Sequence, residues 1–282
     1  MTEVYAASGF SKDGQGGNKA GVVLDRPDLT NIQKMAIAKA LGYSETAFVG
    51  TSNVADYQLE YFTPTEEVAL CGHATIATFA MMNGLGMLEK THYTIETKAG
   101  ILNVELTEDG QVFMEQNCPT YYETVKPSLF KECLEKQFIE EKLPIQIIST
   151  GLKDIILPIQ SALQLSLLEP KFDCISRLSE QLGVVGIHTF ALSNTGAYDA
   201  ICRNFAPLYG IDEESATGTS NCALAGYLFK YVEKKQQYIF EQGYHLKQPS
   251  RMTVKLDYHE DIIDAIYIGG YGYLVEKKQL FI

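Results

Sequence analysis

The stretch FTPTEEVALCGHATIA (residues 62–77) reappears in altered form as FAPLYGIDEESATGTSNCA (residues 205–223). Each copy begins with a Phe-x-Pro strand end and continues through an acidic residue to a glycine, Gly72 or Gly218. Each then enters an alanine-rich helix, with Ala77 or Ala223 five positions after the glycine. The repeat predicts that the chain is internally duplicated and that the two halves build one site between them.

The composition predicts a folded protein with two domains of ordinary size, because the chain has 282 residues and 46% apolar content. Acidic side chains outnumber basic ones by 35 to 23, so no basic surface is available to a nucleic-acid backbone. There is no window of 18 uncharged apolar residues, and the first residues lack the pattern of a signal peptide. We therefore expect no nucleic-acid partner, no membrane segment and a cytoplasmic location.

The cysteines and histidines show no metal-ligand spacing. The six cysteines contain no Cys-x-x-Cys pair, and we expect most of them to be small core residues in a reducing compartment. The five histidines contain no His-Glu-x-x-His or His-x-His pattern, so we expect no metal site. The glycine-rich residues 14–17 and 269–272 lack the spacing and flanking elements of a phosphate loop, which predicts that no nucleotide cofactor binds.

Hydrophobic periodicity predicts mostly strands in the first half, at residues 3–8, 21–24, 45–50, 57–62, 91–97, 101–107 and 111–116. Two helices are predicted there, at residues 30–41 with Thr30 as N-cap and Gly42 just after the end, and at residues 75–82. The second of these helices is apolar all round, which predicts that it is buried inside a curled sheet.

The second half repeats this pattern. Helices are predicted from Pro127, at 173–182 and at 221–232, and strands at 186–193, 198–205, 237–242, 252–257 and 265–271. A last strand at 272–277 is expected to return to the first domain. The predicted domains are therefore residues 1–116 plus 272–282 and residues 117–271, with the site in the cleft between them.

The repeated glycines are the first candidate binding positions. Gly72 and Gly218 each lie where a loop enters a helix, and the free N–H groups of a first helical turn favour a carboxylate or phosphate. Alternatively, each glycine only relieves crowding at a helix start. Because two such termini occur, we favour the interpretation that they bind an acidic small molecule.

Glu45 and His73 are the candidate proton carriers. Glu45 opens an otherwise apolar strand, where it is either a solvated strand-end residue or, in a pocket, a general acid or base. His73 follows Gly72 and has an ordinary pKa near working pH, or it simply caps the helix. Glu214 precedes Gly218 in the second copy, as Glu67 precedes Gly72 in the first. Alternatively, either glutamate is an ordinary carboxylate that complements the helix dipole.

Two further residues can contact a substrate. Arg203 can hold a substrate carboxylate, or it can pair with Glu213 or Glu214. Asn18 lies in a predicted turn and can offer its amide to the site, although the turn alone can explain an asparagine there.

The motifs that carry a family resemblance are GNKAGVV at 17–23, SETAFV at 44–49, FTPxxExxxCGHAT at 62–75 and RxFAP at 203–207 running to EExATG at 213–218. In this order they resemble the PhzF-like isomerases of the phenazine-biosynthesis type. The resemblance implies an α+β fold of two pseudo-symmetric domains, each a curved, mostly antiparallel sheet or barrel wrapped around a central apolar helix, as in diaminopimelate epimerase. It also implies no cofactor, no metal and a homodimer.

Position by position, the acid/base glutamate of that family falls on Glu45 and its histidine on His73. The family's aspartate, proline and serine of the second motif are replaced here by Glu214, Ser215 and Thr219. These changes add a methylene and a methyl group, so they predict a pocket reshaped for another substrate.

The leading hypothesis is a cofactor-independent isomerase that moves a proton between carbons of a small carboxylate-bearing substrate. Glu45, His73 and Glu214 are its catalytic candidates, and its substrate-binding candidates are Asn18, Gly72, Gly218, Thr219 and Arg203. One alternative is a racemase or epimerase that uses Cys71. In the wider fold group, racemases use two opposed cysteines, and here Thr217 replaces the second. The other alternative is a non-catalytic small-molecule-binding protein with the same fold.

Overall fold

A computed structural model of the protein describes residues 2–24 and 29–281. The chain divides into two compact units. The first unit comprises Met1–Glu115 and Gly269–Ile282, and the second comprises Gln116–Ile268. No helix among the described residues has the length and hydropathy needed to cross a membrane.

The elements of the first half, in chain order, are β1 (Thr2–Ser11), β2 (Asn18–Leu24), α1 (Asn31–Leu41), β3 (Thr46–Gly50), β4 (Tyr57–Phe62), β5 (Glu67–Val68), α2 (Gly72–Gly84), β6 (His92–Thr97), β7 (Gly100–Leu106) and β8 (Val112–Gln116). Those that follow are β9 (Thr120–Val125), β10 (Ile145–Ser149), β11 (Lys153–Ile159), α3 (Ala162–Ser166), α4 (Phe172–Leu182), β12 (Gly186–Leu192), β13 (Ala200–Ala206), β14 (Ile211–Glu214), α5 (Gly218–Tyr231), β15 (Gln237–Gln242), β16 (Ser250–His259) and β17 (Ile262–Leu280). Short 3₁₀ turns lie at Pro127–Phe130, Lys136–Phe138 and Pro207–Tyr209.

The strands of the first unit form a closed ring. β1 pairs antiparallel with β2, β2 parallel with β3, and β3 antiparallel with β4. β4 pairs parallel with β6, and β7 and β8 follow as antiparallel neighbours. β17 pairs with β8 and, from Thr2↔Leu280 to Ser11↔Tyr271, with β1. Among the described residues of this unit, the strands of the closed ring leave no exposed sheet edge in its main body.

Helix α2 lies inside this ring. Every residue from 73 to 82 is buried, which confirms the prediction of a central apolar helix. The hydroxyl groups of Tyr61 on β4 and Thr75 on α2 form a hydrogen bond of 2.6 Å. The helix begins at Gly72 rather than at the predicted residue 75, so its first turn includes Gly72 and His73.

Helix α1 packs on the opposite face of the same strands. Its Ile37 and Ala38 join a core cluster with residues of β1 to β4, among them Phe48 and Phe62. Thr30 caps the helix through a capping box with Gln33, and Gly42 ends it in the left-handed conformation, as the sequence predicts.

The second unit repeats the pairing pattern of the first. β11 and β12 are parallel, as are β2 and β3, and β13 pairs antiparallel with β12 and β14 and parallel with β15. β4 makes the equivalent pairs with β3, β5 and β6. Helix α5 is the buried counterpart of α2. These observations confirm the predicted α+β class with pseudo-symmetric halves.

Two of the strands that the sequence did not predict, β10 and β11, are buried on both faces. β10 and β11 read IQIIS and KDIILPI, and nearly all their residues are buried. Such strands show a continuous apolar run instead of alternation. The segment from Pro127 forms a 3₁₀ turn and not the predicted helix.

The two strands predicted at 265–271 and 272–277 form one strand, β17. Two glycines of β17 allow close packing against neighbouring strands. A Cβ on Gly269 would lie 2.3 Å from the Phe113 ring, and one on Gly272 would lie 2.6 Å from the Ser8 carbonyl oxygen, so a larger residue would clash at either position.

Most of the cysteines are buried, as the sequence predicts, and two of them are joined in a bond that it does not predict. Cys133 and Cys174 form a disulfide between positions separated by 41 residues, within the core cluster that also contains α4. The remaining four, Cys71, Cys118, Cys202 and Cys222, are not disulfide-bonded. Sequence spacing cannot show this pair, because folding alone brings the two positions together.

Candidate active site

Glu45 immediately precedes β3 and is held by its backbone, because its carbonyl oxygen accepts a 3.0 Å hydrogen bond from the Gly21 N–H of β2. Its side chain is 19% exposed. The carboxylate oxygen Oε2 is buried and has no hydrogen-bond partner among the residues that the structure describes. A carboxylate in such a position is available for proton transfer or for a ligand.

His73 lies in the first turn of α2, where it is buried. Its Nε2 atom lies 3.3 Å from Glu45 Oε2, but the alignment is not that of a hydrogen bond. Burial lowers the pKa of His73 below the ordinary value for histidine, and the negative charge of Glu45 only partly opposes this shift. The imidazole is therefore neutral at neutral pH, and one ring nitrogen can accept a proton.

Cys71, which the sequence offers as the thiol of the alternative epimerase, lies in one cluster with Glu45 and His73. Its Sγ atom lies 3.5 Å from Nδ1 and 3.8 Å from Nε2 of His73. One donor atom from each of Glu45, Cys71 and His73 lies within 4.8 Å of the other two. The only signal in the sequence was the Cys-Gly-His order itself, since nothing in the spacing indicates that Glu45 joins it.

The N-terminus of α2 has no side-chain cap. The N-cap residue Cys71 makes no side-chain cap hydrogen bond, and neither does Thr217 at the start of α5. Thr30 and Ser161, in contrast, cap α1 and α3 through their side chains. A Cβ added to Gly72 would meet only the Met114 sulfur within 4 Å, at 3.9 Å. No side chain of the N-cap residue therefore caps the first turn of α2, the end of a helix that favours an anionic ligand.

Asn18 lies at the start of β2, opposite Gly9 of β1. Gly9 in turn packs against the backbone of His73. The loop before Asn18 needs glycine at position 17, because φ is +80° there and a Cβ would lie 2.4 Å from the Ser8 hydroxyl. The structure therefore brings Asn18 into the neighbourhood of the first turn of α2.

The second unit presents an equivalent helix start. Thr75 Oγ1 donates to the Cys71 carbonyl in α2, and Asn221 Nδ2 donates to the Thr217 carbonyl in α5. Gly218 is buried at the first position of α5, and Thr219 follows it half-buried, with its carbonyl oxygen bonded to the Thr150 hydroxyl. The two copies of the sequence repeat therefore form equivalent side-chain hydrogen bonds at the starts of their helices.

Glu67 and Glu214 are not equivalent. Glu67 lies opposite Phe62 in the β4–β5 pair, whereas Glu214 lies opposite Asn204, the counterpart of Tyr61. A shift of one residue turns a strand side chain to the other face of the sheet. Glu214 accepts a 2.6 Å hydrogen bond from Thr217 at the start of α5, while Glu67 pairs with Lys98.

A buried polar network supports the start of α5, and sequence reasoning missed it. Ser220 donates to Asp154 and accepts from Asn204, whose amide also contacts His188 at 3.3 Å. Burial raises the pKa of Asp154 to about 6 and lowers that of His188 to about 3. Single polar residues on buried strands gave no periodic signal by which they could have been found.

Arg203 is engaged inside its own unit. Its guanidinium donates to both carboxylate oxygens of Glu213, at 2.9 and 2.8 Å, and to the carbonyls of Leu165 and Leu168. Both side chains of the ion pair are buried. This is the alternative that the sequence left open, and it accounts for Arg203 without a substrate.

The model of the PhzC-PhzF family, described as phenazine biosynthesis-like protein, matches residues 7–278. The chain belongs to the PhzC-PhzF family. A relative of this PhzC-PhzF chain in Clostridium acetobutylicum, named an uncharacterized isomerase, is 32% identical over 98% of this chain and 97% of the relative. Another so named, from Bacillus subtilis, is 34% identical over 90% of each chain.

A solved structure agrees with this assignment. The phenazine biosynthesis protein of the PhzF family from Bacillus anthracis is 31% identical and has a TM-score of 0.91, covering 100% of this chain and 99% of that one. Together with the named relatives, the PhzC-PhzF assignment indicates an isomerase of the PhzF type.

Proposed function

We propose that the chain is a cofactor-independent isomerase in which Glu45 and His73 move a proton between carbons of a small carboxylate-bearing substrate. The observation that carries this proposal is the 3.3 Å approach of Glu45 Oε2 to His73 Nε2 at the uncapped N-terminus of α2. Two proton carriers are thereby held beside a group of backbone donors. Acid/base catalysis needs both within reach of the reacting carbon atoms.

The chemical step conserves atoms and electrons. Glu45 takes a proton from a carbon beside an activating group, and the C–H electron pair moves into the adjacent unsaturated system. The proton is then returned to a different carbon, so the product is an isomer and nothing is oxidised or reduced. His73, neutral because it is buried, can deliver the proton to the second carbon in place of Glu45, and it then recovers the proton that Glu45 removed, so both groups return to their starting states.

The anionic intermediate needs hydrogen-bond donors that are in place before it forms. The first-turn N–H groups of α2 at Gly72 and the amide of Asn18 are proposed to bind the substrate carboxylate and the developing enolate-like charge. The assignment of Glu214 to a second proton, and of Gly218 and Thr219 to substrate binding, stays a prediction. Arg203 is left out because its donors are used internally.

The test is incubation in heavy water with a panel of small hydroxy, amino and unsaturated acids, with deuterium uptake at carbon followed by NMR. We expect uptake with the wild-type protein and a loss of about 10²–10⁴-fold in Glu45→Gln. Glu67→Gln is the matched control, because Glu67 precedes the same helix but pairs with Lys98. Unchanged uptake in Glu45→Gln with a folded protein would refute the proposal.

A second candidate function is favoured by one observation. The Cys71 thiol lies 3.5 Å from a ring nitrogen of His73, as a thiol that exchanges its proton with a base would. In that case the chain is an epimerase or racemase working through Cys71. The variant Cys71→Ser separates the two candidates, because it retains proton transfer by Glu45 and abolishes transfer by a thiolate.

A further inference from the structure

Thr217, the N-cap residue of α5, joins a chain of hydrogen bonds that the proposed function does not use. Its hydroxyl donates to the Glu214 carboxylate oxygen Oε2 at 2.6 Å. The Gln242 amide nitrogen Nε2 donates to the same hydroxyl oxygen at 3.1 Å and to the Glu214 carbonyl oxygen at 2.7 Å. The Thr217 hydroxyl thus lies between the carboxylate of a catalytic candidate and the amide of a fully buried glutamine.

The orientation of the Gln242 amide follows from backbone groups. A carbonyl oxygen can only accept, so the Gln242 atom beside the Glu214 carbonyl must be the nitrogen. The amide oxygen of Gln242 accepts a 3.0 Å hydrogen bond from Asn221 Nδ2. That atom is identified as a nitrogen in the same way, because it lies 2.9 Å from the Thr217 carbonyl oxygen. Two independent contacts therefore give the same orientation.

This orientation makes the Thr217 hydroxyl a donor to Glu214. The two hydrogens of the Gln242 amide go to the Glu214 carbonyl and to Thr217 Oγ1. The Thr217 proton is then directed to the other side-chain contact of the hydroxyl, Oε2 of Glu214. The bond favours the ionised carboxylate, and it leaves Oε1 as the oxygen on which Glu214 would carry a proton.

The corresponding positions of the first unit have different side chains. By the strand pairings that the two units share, Val68 takes the place of Glu214, and Thr97 takes that of Gln242. Thr97 donates to the Gly100 carbonyl oxygen. The carboxylate and the amide are thus present together in the second unit and replaced together in the first, as expected if one supports the other.

We propose that Thr217 is a positioning residue that holds the Glu214 carboxylate in one orientation, and that Gln242 holds Thr217 in turn. A glutamate side chain has several staggered rotamers, and a hydrogen bond to its charged group selects among them. Oε1 is thereby presented in one place. A proton carrier that is oriented before the substrate binds lowers the barrier to proton transfer. This consequence for turnover rests on the proposed function, whereas the positioning of Glu214 does not.

The positioning is tested without substrate, by NMR at one pH on protein that carries carbon-13 at the glutamate carboxyl carbons. The Glu214 signal is identified by its absence in Glu214→Gln. We expect this signal to shift in Thr217→Val, which lacks the hydroxyl, and to stay near its wild-type position in Thr217→Ser, which keeps it. A Glu214 signal that does not move in Thr217→Val, or that moves equally in Thr217→Ser, would overturn the proposal.

The matched control for this measurement is Thr189→Val. Thr189 is fully buried in the same unit, and its hydroxyl donates to the Arg203 carbonyl oxygen. The substitution removes a threonine hydroxyl elsewhere, so it should leave the Glu214 signal in place. A shift as large as that in Thr217→Val would show that the signal reports general loss of packing, and it would overturn the proposal.

The contribution of Gln242 is tested by a double-mutant cycle. Gln242→Met removes the amide and keeps the length of the side chain, so we expect a shift of the Glu214 signal that is smaller than in Thr217→Val. In the Thr217→Val background the same substitution should have much less effect, because the link is already absent. Equal effects in the two backgrounds would overturn the claim that Gln242 acts through Thr217.

Deuterium uptake measures the consequence for turnover, with the substrate that the heavy-water panel identifies. Thr217→Val should lower kcat about 10- to 100-fold with little change in KM, because it removes a hydrogen bond to a charged group. Thr217→Ser should restore most of the rate. Unaffected uptake in Thr217→Val with a shifted Glu214 signal would overturn the consequence for turnover and keep the positioning. No uptake with wild type would count against the proposed function, and the NMR result would still decide the positioning.

Discussion

Gly9 lies so close to His73 that a Cβ on residue 9 would be 2.5 Å from the His73 carbonyl oxygen. Because the contact is with backbone, Gly9→Ala should push the first turn of α2 away from β1. We expect unfolding free energy to fall by about 1–3 kcal/mol and deuterium uptake to fall with it. The control is Gly84→Ala at the other end of α2, where no atom lies within 4 Å and stability should be unchanged or higher. Equal behaviour of the two variants in urea unfolding and exchange would count against this arrangement.

The opposite facing of Glu214 and Glu67 gives a paired prediction. Glu214→Gln should lower the rate of deuterium exchange by about 10²–10⁴-fold if that carboxylate carries a proton, and Glu67→Gln should leave the rate unchanged. Both substitutions keep the shape of the side chain, so circular dichroism should show no loss of structure. Full exchange activity in Glu214→Gln would remove Glu214 from the mechanism.

The buried pair of Arg203 and Glu213 should determine stability rather than substrate binding. Arg203→Met leaves Glu213 buried without its cation, and we expect a loss of about 3–5 kcal/mol in unfolding free energy. Replacing Glu213 by methionine as well should recover a large part of this loss. A raised KM at unchanged stability in Arg203→Met would instead indicate that the guanidinium binds substrate.

Asp154 should make stability depend on pH. Burial raises its pKa from an ordinary 3.8 to about 6 in the folded protein. The penalty for ionising it is absent below pH 3.8, grows as pH rises, and is complete above about pH 6, where it reaches about 3 kcal/mol. Asp154→Asn should therefore gain stability relative to wild type between pH 4 and pH 7.

The measurement for Asp154 is urea unfolding of both proteins across that range. Asp257→Asn, at an exposed aspartate, should track wild type at every pH. A difference between Asp154→Asn and wild type that stays constant with pH would show that Asp154 does not titrate in this range.

The disulfide should contribute to the stability of the second unit. Closing a loop of 41 residues is worth about 4 kcal/mol in the chain-entropy account, so the double variant Cys133→Ser/Cys174→Ser should lose an amount of that order. Cys118→Ser serves as the control. Non-reducing peptide mapping should recover a Cys133–Cys174 peptide, and six titratable thiols in the unfolded, unreduced protein would contradict the bond.

Local signals were enough to predict the elements that carry them. Thr30 and Gly42 mark the ends of α1, and the continuous apolar face of α2 predicts its burial. The duplication could be recognised in the sequence, because each copy is marked by local features, namely a Phe-x-Pro strand end and a glycine before a helix. The buried strands β10 and β11 were missed since alternation exists only where one face of a strand meets water.

The candidate site was only partly predictable, because its residues meet through tertiary structure. Glu45 was singled out as a carboxylate at a strand start. Its distance from His73, however, depends on the β2–β3 pair, which positions Glu45, and on α2 inside the ring, which positions His73. The facing of Glu214 depends on a register that no spacing shows. The Cys133–Cys174 bond and the Asp154 network are likewise contacts between distant positions.

The pairing of β1 with β17 has a consequence for synthesis of the chain. Thr2 meets Leu280, so β1 leaves the ribosome long before its partner β17, and the whole second unit is made in between. During that time the free edges of β1 and β8 can pair with other chains, whereas the second unit has all its own strands earlier. Translation speed and chaperone capacity should therefore govern the yield of the first unit more than that of the second.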